Sequence, residues 1–386
     1  MRSIVHLLCA ASALLAAACA APAPATTPGN QPAASGARQA SSPAPKGVYD
    51  DPTWQELIAA ARQEGKLVVA SGPNPDMRVQ LPAAFKDRFG IEIEYLGGRS
   101  SDLQTRLRGE RASGVSSVDV IIGGGDSVTA MYNDGWFAPI RPLLVVPQVQ
   151  DQTAFLNNRY PFLDPQDAYM FELEATVLGY LTVNPDLVSD SDLQKLDDLL
   201  EPRWKGKLSV DDPTVPGQGQ NNAIYLYVLK GDEYFKRLFA DQQPGVSRDP
   251  RQLQDWLARG IYPVSFGLAQ RDVDDMRQQG LPAKVIGQLD GPGAIVGGFG
   301  VLCLFTDPPH PNAAKLFVNW LASPDGMGVH AQAEAQVPLR KDVAHPWATE
   351  FQVPKEGVSY QDLYDYHYIM DQKPAIIRRI REVMGQ

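Results

Sequence analysis

Cysteine is scarce in this 386-residue chain, which contains only Cys9, Cys19 and Cys303. The first two lie in an apolar leader, so Cys303 is alone in the rest of the chain and has no partner for an internal disulfide. It belongs to the apolar run GVLCLF, where a thiol is usually buried and unreactive. A disulfide-stapled fold is therefore excluded, and no base partner for a cysteine nucleophile can be identified.

Basic charge is also in short supply, because 35 Lys and Arg face 45 Asp and Glu, which gives a formal net charge of −10. A general nucleic-acid binder presents a basic surface, so we expect no nucleic-acid partner. A small ligand site can still carry the opposite sign locally, and the overall charge does not decide the chemistry of such a ligand.

Motifs of catalysis and nucleotide binding are missing. The sequence has no G-x-S-x-G elbow, no G-x-x-x-x-G-K-[ST] loop and no G-x-G-x-x-G fingerprint. The histidines beyond the leader, at 310, 330, 345 and 367, have no metal-type spacing. We therefore expect no catalytic residue, no metal and no cofactor. The alternative, an enzyme on a binding fold, would be revealed by turnover of a ligand.

Only the start of the chain has a long apolar run, which extends from residue 4 to 18 and follows Arg2. It is too short for an ordinary membrane span and has the length of a signal-peptide core. It ends in LAAAC, which resembles the bacterial lipobox. This resemblance implies a lipoprotein-type signal peptide at residues 1–19 with Cys19 as the lipidated residue. Ordinary cleavage at an A-x-A site, without lipid, is the alternative.

Residues 20–46 lack the large apolar side chains that a core needs. They are rich in Ala, Pro, Ser, Gly and Thr, a composition typical of flexible linkers. We predict that they form a disordered tether, which would hold the folded part near a membrane while leaving it free to reorient.

Strands and helices alternate after residue 50, which predicts an α/β fold with a mainly parallel sheet. Apolar strands are predicted at 66–70, 91–95 and 118–122, and each is followed by a small polar loop. Ligands bind beyond the carboxyl ends of such strands, so the three loops should share one edge and line a cleft. This placement predicts these ligand-binding residues: Ser71, Asn74, Gly98, Arg99, Ser100, Asp126 and Ser127.

A similar series starts near residue 173, with predicted strands at 208–212 and 262–268. The loops and helix starts of this second series predict four more ligand-binding residues: Thr214, Gln218, Arg248 and Arg271. Residues 294–305 form a further apolar run, which we predict to be one long strand region.

Three stretches resemble bacterial extracellular solute-binding proteins: DVIIGG with MYNDGWFAP (119–139), LLEPRWKGKLSVDDP (199–213), and GFGVL with HPNAAKLFVNWLASPDG (298–326). The resemblance runs through residues 50–345. It points to the ferric-iron-like branch of ABC importers, whose ligands include phosphonates, sugar phosphates, thiamine and polyamines.

The resemblance implies a two-lobed periplasmic-binding-protein fold of type II, in which a hinge closes the lobes on the ligand. Lobe 1 would comprise 47–172 plus 293–345, lobe 2 would comprise 173–292, and 346–386 would be a C-terminal helical tail. The protein would lie in the cell envelope, periplasmic or extracytoplasmic, as a membrane-anchored lipoprotein. Its partner would be an ABC permease in the cytoplasmic membrane, and we expect a monomer.

Ferric iron is one ligand that the resemblance suggests. Ferric-binding relatives usually carry an adjacent tyrosine pair where this chain reads Ala269-Gln-Arg-Asp272, and no two tyrosines are adjacent anywhere in it. An arginine in that place would repel a bare cation. Ferric iron, a polyamine or thiamine is therefore the alternative ligand, with its site moved to Tyr95, Asp126 and Asp212.

A small organic anion fits the residues better. Helix N-termini present unpaired N–H groups to anions, and arginine offers a bidentate fork to phosphate or carboxylate. The corner at Gly98–Ser101 would grip the anionic end with its amides and Arg99. The helix start at Gly217–Gly219 and either Arg248 or Arg271 would complete the grip from the second lobe.

Overall fold

A computed structural model describes residues 48–385 of the chain. The predicted signal peptide at 1–19, with Cys19, and the predicted tether at 20–46 lie outside the described residues. Within 48–385, no helix combines the length and the apolar character needed to cross a lipid bilayer.

The described residues form fourteen strands. They are β1 Lys66–Ser71, β2 Glu92–Gly97, β3 Val120–Gly123, β4 Phe137–Ala138, β5 Phe171–Glu172, β6 Thr176–Leu178, β7 Tyr180–Val183, β8 Leu208–Asp211, β9 Gly245–Ser247, β10 Val264–Phe266, β11 Lys284–Gln288, β12 Ala294–Val296, β13 Val301–Phe305 and β14 Gln361–Asp362.

The same residues form eleven α-helices. They are α1 Pro52–Glu64, α2 Pro75–Phe89, α3 Ser100–Ala112, α4 Gly125–Asn133, α5 Pro147–Gln150, α6 Gln218–Lys236, α7 Pro250–Ala258, α8 Gln270–Gln278, α9 Pro311–Leu321, α10 Pro324–Glu334 and α11 Lys373–Val383. Short π-helical segments at Arg237–Asp241 and Tyr368–Gln372 adjoin α6 and α11.

The first lobe is built on a six-stranded sheet with the strand order β2-β1-β3-β13-β4, in which β5 also pairs with β13. Strand β1 pairs in parallel with both β2 and β3, whereas β13 runs antiparallel to β3. The carboxyl ends of β1, β2 and β3 therefore meet at one edge, which confirms the predicted common edge of their three loops. Strand β2 is the outermost of the three, so its loop lies at the side of the sheet.

The second lobe is built on a five-stranded sheet with the order β11-β7-β10-β8-β9. Strand β8 pairs in parallel with β9 and β10, and β7 runs antiparallel to β10 and β11. The predicted α/β fold with two lobes is thus confirmed, and both of its sheets are mixed. The lobe and tail boundaries given above stay predictions.

The two lobes are joined at a third, three-stranded sheet with the order β14-β12-β6, here called the hinge sheet. The chain passes from β5 through β6 into β7, and it returns from β11 through β12 into β13. The prediction of one long strand region at 294–305 was wrong, because Gly297–Gly300 separates β12 from β13. Gly298 has a φ of +49°, and Gly300 lies so close to the Glu174 side chain that no Cβ fits.

Aromatic side chains fill the first lobe between its sheet and helices α1, α2 and α9. Trp54, Phe85, Phe89 and Trp320 are all buried, and the rings of Phe85 and Phe89 lie 4.9 Å apart. Phe85 and Phe89 are spaced by four along α2, which places both on one face of the helix. Cys303 lies buried in β13, as the apolar run predicts, and burial raises the pKa of its thiol.

The C-terminal tail folds back over both lobes. Strand β14 pairs in parallel with β12 in the hinge sheet. The ammonium group of Lys373, at the start of α11, donates to both carboxylate oxygens of Asp126 in the first lobe at 2.8 and 2.7 Å. Helix α11 packs on α6 of the second lobe, where Arg379 donates to Asp232 at 2.7 Å.

Candidate functional site

A cavity of about 500 Å³ opens between the two lobes beside the hinge sheet. A cavity of this size suits a small organic molecule. The first lobe lines it with Gly72–Pro75 and Glu334–Gln336. The second lobe, the hinge sheet and the tail line the remainder: Tyr180, Gly217, Gln218, Asn221, Ala269, Gln270, Arg271, Thr176, Leu178, Val296, Gly298, Phe299, Gln352 and Tyr364.

Two helix starts of the second lobe reach this cavity. Helix α6 begins after Gly217 and helix α8 after Ala269, and neither residue caps its helix with a side chain. The first N–H groups of a helix have no partner inside the helix and carry the positive end of its dipole. Asp211 accepts the Gly219 N–H of α6 at 2.8 Å. Asp272 accepts the Ala269 N–H at the start of α8 at 2.9 Å. The cavity wall therefore carries two helix starts, and an anion can bind only those first N–H groups that Asp211 and Asp272 do not occupy.

The side chains on that wall are Gln218, Arg271 and Tyr180. Arg271 is exposed, lines the cavity and forms no ion pair with any residue in 48–385. The Tyr180 hydroxyl faces the Gln218 side chain and the Gln270 N–H, and burial raises the pKa of Tyr180 to about 12. The structure thus brings two of the predicted ligand-binding residues, Gln218 and Arg271, together around a neutral tyrosine.

The loop after β1 lines the first-lobe side of the cavity, but its polar groups are engaged. Asn74 Oδ1 accepts the N–H groups of Asp76 and Met77 at 2.8 and 3.2 Å, which caps helix α2. Asn74 Nδ2 donates to the Ala333 carbonyl at 3.1 Å. Ser71, the last residue of β1, is buried. Asn74 therefore shapes the cavity wall, and its amide has little left to offer a ligand.

The corner at Gly98, Arg99 and Ser100 does not line the cavity. Because β2 is the outermost strand, its loop lies away from the strands that lead into the hinge sheet. The Gly98 N–H donates to the Ser71 carbonyl at 3.0 Å, and the exposed Arg99 pairs with no acidic side chain of the described residues. A ligand contact at this corner stays a prediction, and the cavity geometry does not favour it.

The corner at residues 123–127 is covered by the tail. The Tyr364 ring packs so closely on Gly125 that no Cβ fits there. Asp126 is paired with Lys373, and the Ser127 hydroxyl donates to the Gly124 carbonyl at 2.8 Å. Asp126 and Ser127 therefore lie behind Tyr364, outside the cavity-lining set.

Thr214 and Arg248 belong to a separate network around Asp212. The Thr214 hydroxyl donates to Asp212 at 2.6 Å, and Arg248 Nε donates to it at 2.7 Å. Burial acts to raise the pKa of Asp212, but these contacts hold it below its usual range. Neither Thr214 nor Arg248 lines the cavity, and the Asp212 carboxylate, which the amine alternative would use, already has a cationic partner.

Buried acids lie beneath the cavity floor at the hinge. His330 Nδ1 is 3.2 Å from the Glu174 carboxylate, and both side chains are fully buried. Burial raises the pKa of Glu174 to about 7, and burial together with neighbouring Asp362 and Glu174 raises the pKa of Glu172. Burial alone would lower the pKa of His330, but the Glu174 carboxylate raises it.

Metal ligands are not assembled anywhere in 48–385, since no group of three or more His, Cys, Asp or Glu side chains is placed to hold an ion. The segment Ala269–Asp272, which would carry a tyrosine pair in ferric-binding relatives, forms the start of α8 on the cavity wall. It contributes Arg271 there instead. The tyrosines that do line the cavity are Tyr180 and Tyr364.

Sequence reasoning missed Glu334, Phe299 and the two tail residues Gln352 and Tyr364. Phe299 lies in the GFG segment that carries part of the family resemblance, so its position beside the hinge was the available signal. Glu334 ends a helix, and no local pattern marks it. Gln352 and Tyr364 reach the cavity only because the tail folds back, which no local pattern reports.

A family model described as "Bacterial extracellular solute-binding protein" matches residues 72–328, which is more than half of the chain.

Solved structures share the two-lobed fold. Iron-bound HitA from Pseudomonas aeruginosa aligns with a TM-score of 0.62 at 17% identity, covering 82% of this chain and 99% of that one. IdiA (FutA) from Trichodesmium, in complex with iron and citrate, gives 0.64 at 17% identity and 83% and 100% coverage. The periplasmic binding protein AfuA from Actinobacillus pleuropneumoniae, with fructose-6-phosphate bound, gives 0.60 at 18% identity and 83% and 99% coverage. Identities this low establish the fold and leave the ligand open.

Proposed function

Because the chain belongs to the bacterial extracellular solute-binding protein family, we propose that it captures a small anionic organic solute between its lobes and delivers it to an ABC permease. Proteins of this family bind solutes and are not enzymes, in agreement with the missing catalytic motifs. The similar structures hold iron, iron with citrate, or fructose-6-phosphate, so the choice of ligand rests on the cavity itself.

The observation that carries the proposal is that two helix starts line a single cavity together with Arg271, which forms no ion pair within 48–385. Helices α6 and α8 direct their dipoles and first N–H groups at it, and Arg271 lies in the first turn of α8. Amide groups and a guanidinium fork suit phosphate, phosphonate or carboxylate oxygens. A bare cation would be repelled by the same wall.

Movement of the lobes at the hinge would couple solute binding to delivery. The anion-binding groups belong to the second lobe, whereas Gly72–Pro75 and Glu334–Gln336 belong to the first. A solute that contacts both sides stabilises the closed arrangement of the lobes over the open one. We expect the permease to recognise the closed, loaded protein and to receive the solute when the lobes separate.

Replacing Arg271 by alanine is expected to weaken binding of the anionic solute by about tenfold to a hundredfold, since a charge-assisted hydrogen bond contributes about 1.5–3 kcal/mol. A thermal-shift screen of phosphonates, sugar phosphates, carboxylates, ferric complexes, thiamine and polyamines identifies the ligand. Isothermal titration of the native protein and the variant then measures the loss. The melting temperature of the ligand-free protein should not change, because Arg271 is exposed.

Arg99→Ala is the matched control. Arg99 is exposed like Arg271 and directly precedes helix α3, but it lies outside the cavity. We expect it to leave the affinity unchanged. A loss of affinity in Arg99→Ala alone would move the site to the β2 corner. Tight ferric binding with a visible phenolate charge-transfer band, or a shift with amines alone, would contradict anion capture.

The lipid anchor is a separate part of the proposal. Cys19 follows the lipobox-like LAAA and precedes a tether of 27 residues, 20 to 46, so a lipid on Cys19 would hold the binding domain near the membrane that contains its permease. Cys19→Ser should release the protein into the soluble extracytoplasmic fraction on cell fractionation, whereas Cys9→Ser, within the leader, should leave it membrane-bound. Membrane retention of Cys19→Ser would show that no lipid anchor is made there.

A further inference from the structure

The cavity has an acidic end as well as an anion-binding wall. Glu334 is the last residue of helix α10 in the first lobe, and it lines the cavity together with Ala335 and Gln336. The C-terminal end of a helix carries the negative end of its dipole. A carboxylate at that position adds to the negative potential, on the opposite lobe from the helix starts of α6 and α8.

One oxygen of the Glu334 carboxylate has no hydrogen-bond donor among the described residues, although the Glu334 charge, after that of Glu174, contributes to the raised pKa of buried His330. The Glu334 Oε1 atom is shielded from solvent and accepts no hydrogen bond from any group in the described part of the chain. Glu334 also forms no ion pair within 48–385; the nearby His330 is held by Glu174, and the guanidinium of Arg78 stacks 5.3 Å from the centre of the Tyr95 ring. A shielded carboxylate oxygen without a donor is costly. Because Glu334 lines the cavity, a cationic donor that reaches its carboxylate would offset part of that cost.

The surroundings of Glu334 suit a positively charged nitrogen. Phe299 and Tyr364 line the same cavity with aromatic rings, and an aromatic face attracts ammonium groups through its quadrupole. Asn74, which also lines this side, already donates its amide to the backbone, so it does not compete as a donor to Glu334. The cavity is therefore lined by a carboxylate acceptor and two aromatic rings as well as by helix N–H groups and Arg271.

We propose that the solute is a zwitterion, whose anionic group binds the starts of α6 and α8 with Arg271 while a protonated nitrogen donates to the Glu334 carboxylate. This inference rests on the proposed function and adds the second half of the ligand to it. Matching opposite charges at opposite ends fixes the orientation of the solute, and it explains why the cavity keeps an unpaired acid among groups that otherwise favour anions.

Two matched ligand pairs test the ammonium site: 3-aminopropylphosphonate against propylphosphonate, and 4-aminobutyrate against butyrate. By isothermal titration, the native protein should bind the amino member of at least one pair at least tenfold more tightly. Glu334→Gln should remove that preference and leave the affinity for the deaminated member unchanged. Glu334→Asp, which retains the charge, should keep part of the preference. Glu94→Gln, on an exposed residue of β2, is the matched control and should bind like the native protein.

Equal affinity for the two members of each pair would overturn the ammonium site while leaving anion capture in place, provided that Arg271→Ala still weakens both members. The ammonium site would also be overturned if Glu334→Gln lowered the affinity for the deaminated member as much as the affinity for the amino member. Glu334 would then support the shape of the cavity and would not bind the ammonium group. Failure of all four compounds to bind would overturn the zwitterion proposal, whereas failure of every anion in the thermal-shift screen would overturn anion capture as well.

Discussion

A Tyr364→Ala variant is expected to lose about 3–5 kcal/mol of unfolding free energy, the range measured when a large buried aromatic side chain is truncated. The Tyr364 side chain is 7% exposed, and its ring fills the space above Gly125 at the start of α4. Its hydroxyl donates to the Gly298 carbonyl of the hinge at 3.0 Å. Urea unfolding followed by circular dichroism measures the loss.

Tyr364→Phe separates the ring from the hydroxyl. It keeps the packing on Gly125 and removes one hydrogen bond to Gly298, so we expect a cost of about 1 kcal/mol. If Tyr364→Ala lost no more unfolding free energy than Tyr364→Phe, the packing of the Tyr364 ring on Gly125 would not stabilise the protein. Because Tyr364 also lines the cavity, the alanine variant should in addition bind the solute more weakly.

An Asp126→Asn variant is expected to lose about 1–3 kcal/mol of stability, because the buried ammonium of Lys373 loses its charged partner. The side chain of Lys373 is only 2% exposed, whereas that of Asp126 is 56% exposed. In the native protein the Lys373 ammonium lies 2.8 and 2.7 Å from the two Asp126 carboxylate oxygens. In the variant it would face a neutral amide instead. Thermal and urea unfolding near pH 7 test this expectation.

The opposite substitution should be much milder. Lys373→Met removes the buried charge, keeps an apolar stem of similar length and leaves Asp126 in contact with water, so we expect a change within about 1 kcal/mol. The asymmetry between Asp126→Asn and Lys373→Met is the diagnostic result. Equal costs for the two variants would mean that the pair behaves as an ordinary surface ion pair.

The local patterns of the chain predicted the fold well. The apolar strands with a helix after each of them predicted the parallel arrangement of β1, β2 and β3. Short apolar strands can bury both faces of a sheet when helices cover it on each side. The helix start at Gly217–Gly219 was also predicted, and α6 begins at Gln218. No helix was predicted at Arg271, which lies in the first turn of α8. These patterns predict the sheet edge at which the loops after β1, β2 and β3 lie, and the structure confirms that edge.

The order of strands within the edge could not be predicted, and it decides which loops reach the cavity. Arg99 follows the outermost strand, whereas Asn74 follows a strand one place nearer the hinge. Pairing order is set by contacts between distant segments, such as β13 inserting beside β3. No period in the sequence reports such an insertion.

The tail could not be predicted for the same reason. The sequence predicted Asp126 as a ligand contact, whereas it is paired with Lys373 of the tail. Lys373 and Asp126 are separated by 247 positions, so each looks like an isolated charge until the chain is folded. Gly125 was a usable signal, because a glycine at a helix start leaves room for a ring that only the folded tail supplies.

Helix α11 is fastened at its two ends to different lobes, by Lys373 to Asp126 and by Arg379 to Asp232. Lys373 and Arg379 are six residue steps apart along the helix, about 9 Å, so α11 bridges the two lobes. Rotation of one lobe against the other therefore has to break the contacts of one of these two residues. The Arg379 and Asp232 side chains are 32% and 36% exposed, and dissolved ions screen exposed charges far more than buried ones. Ionic strength therefore weakens the ion pair between Arg379 and Asp232, and the apolar packing of α11 on α6 then holds the helix to the second lobe.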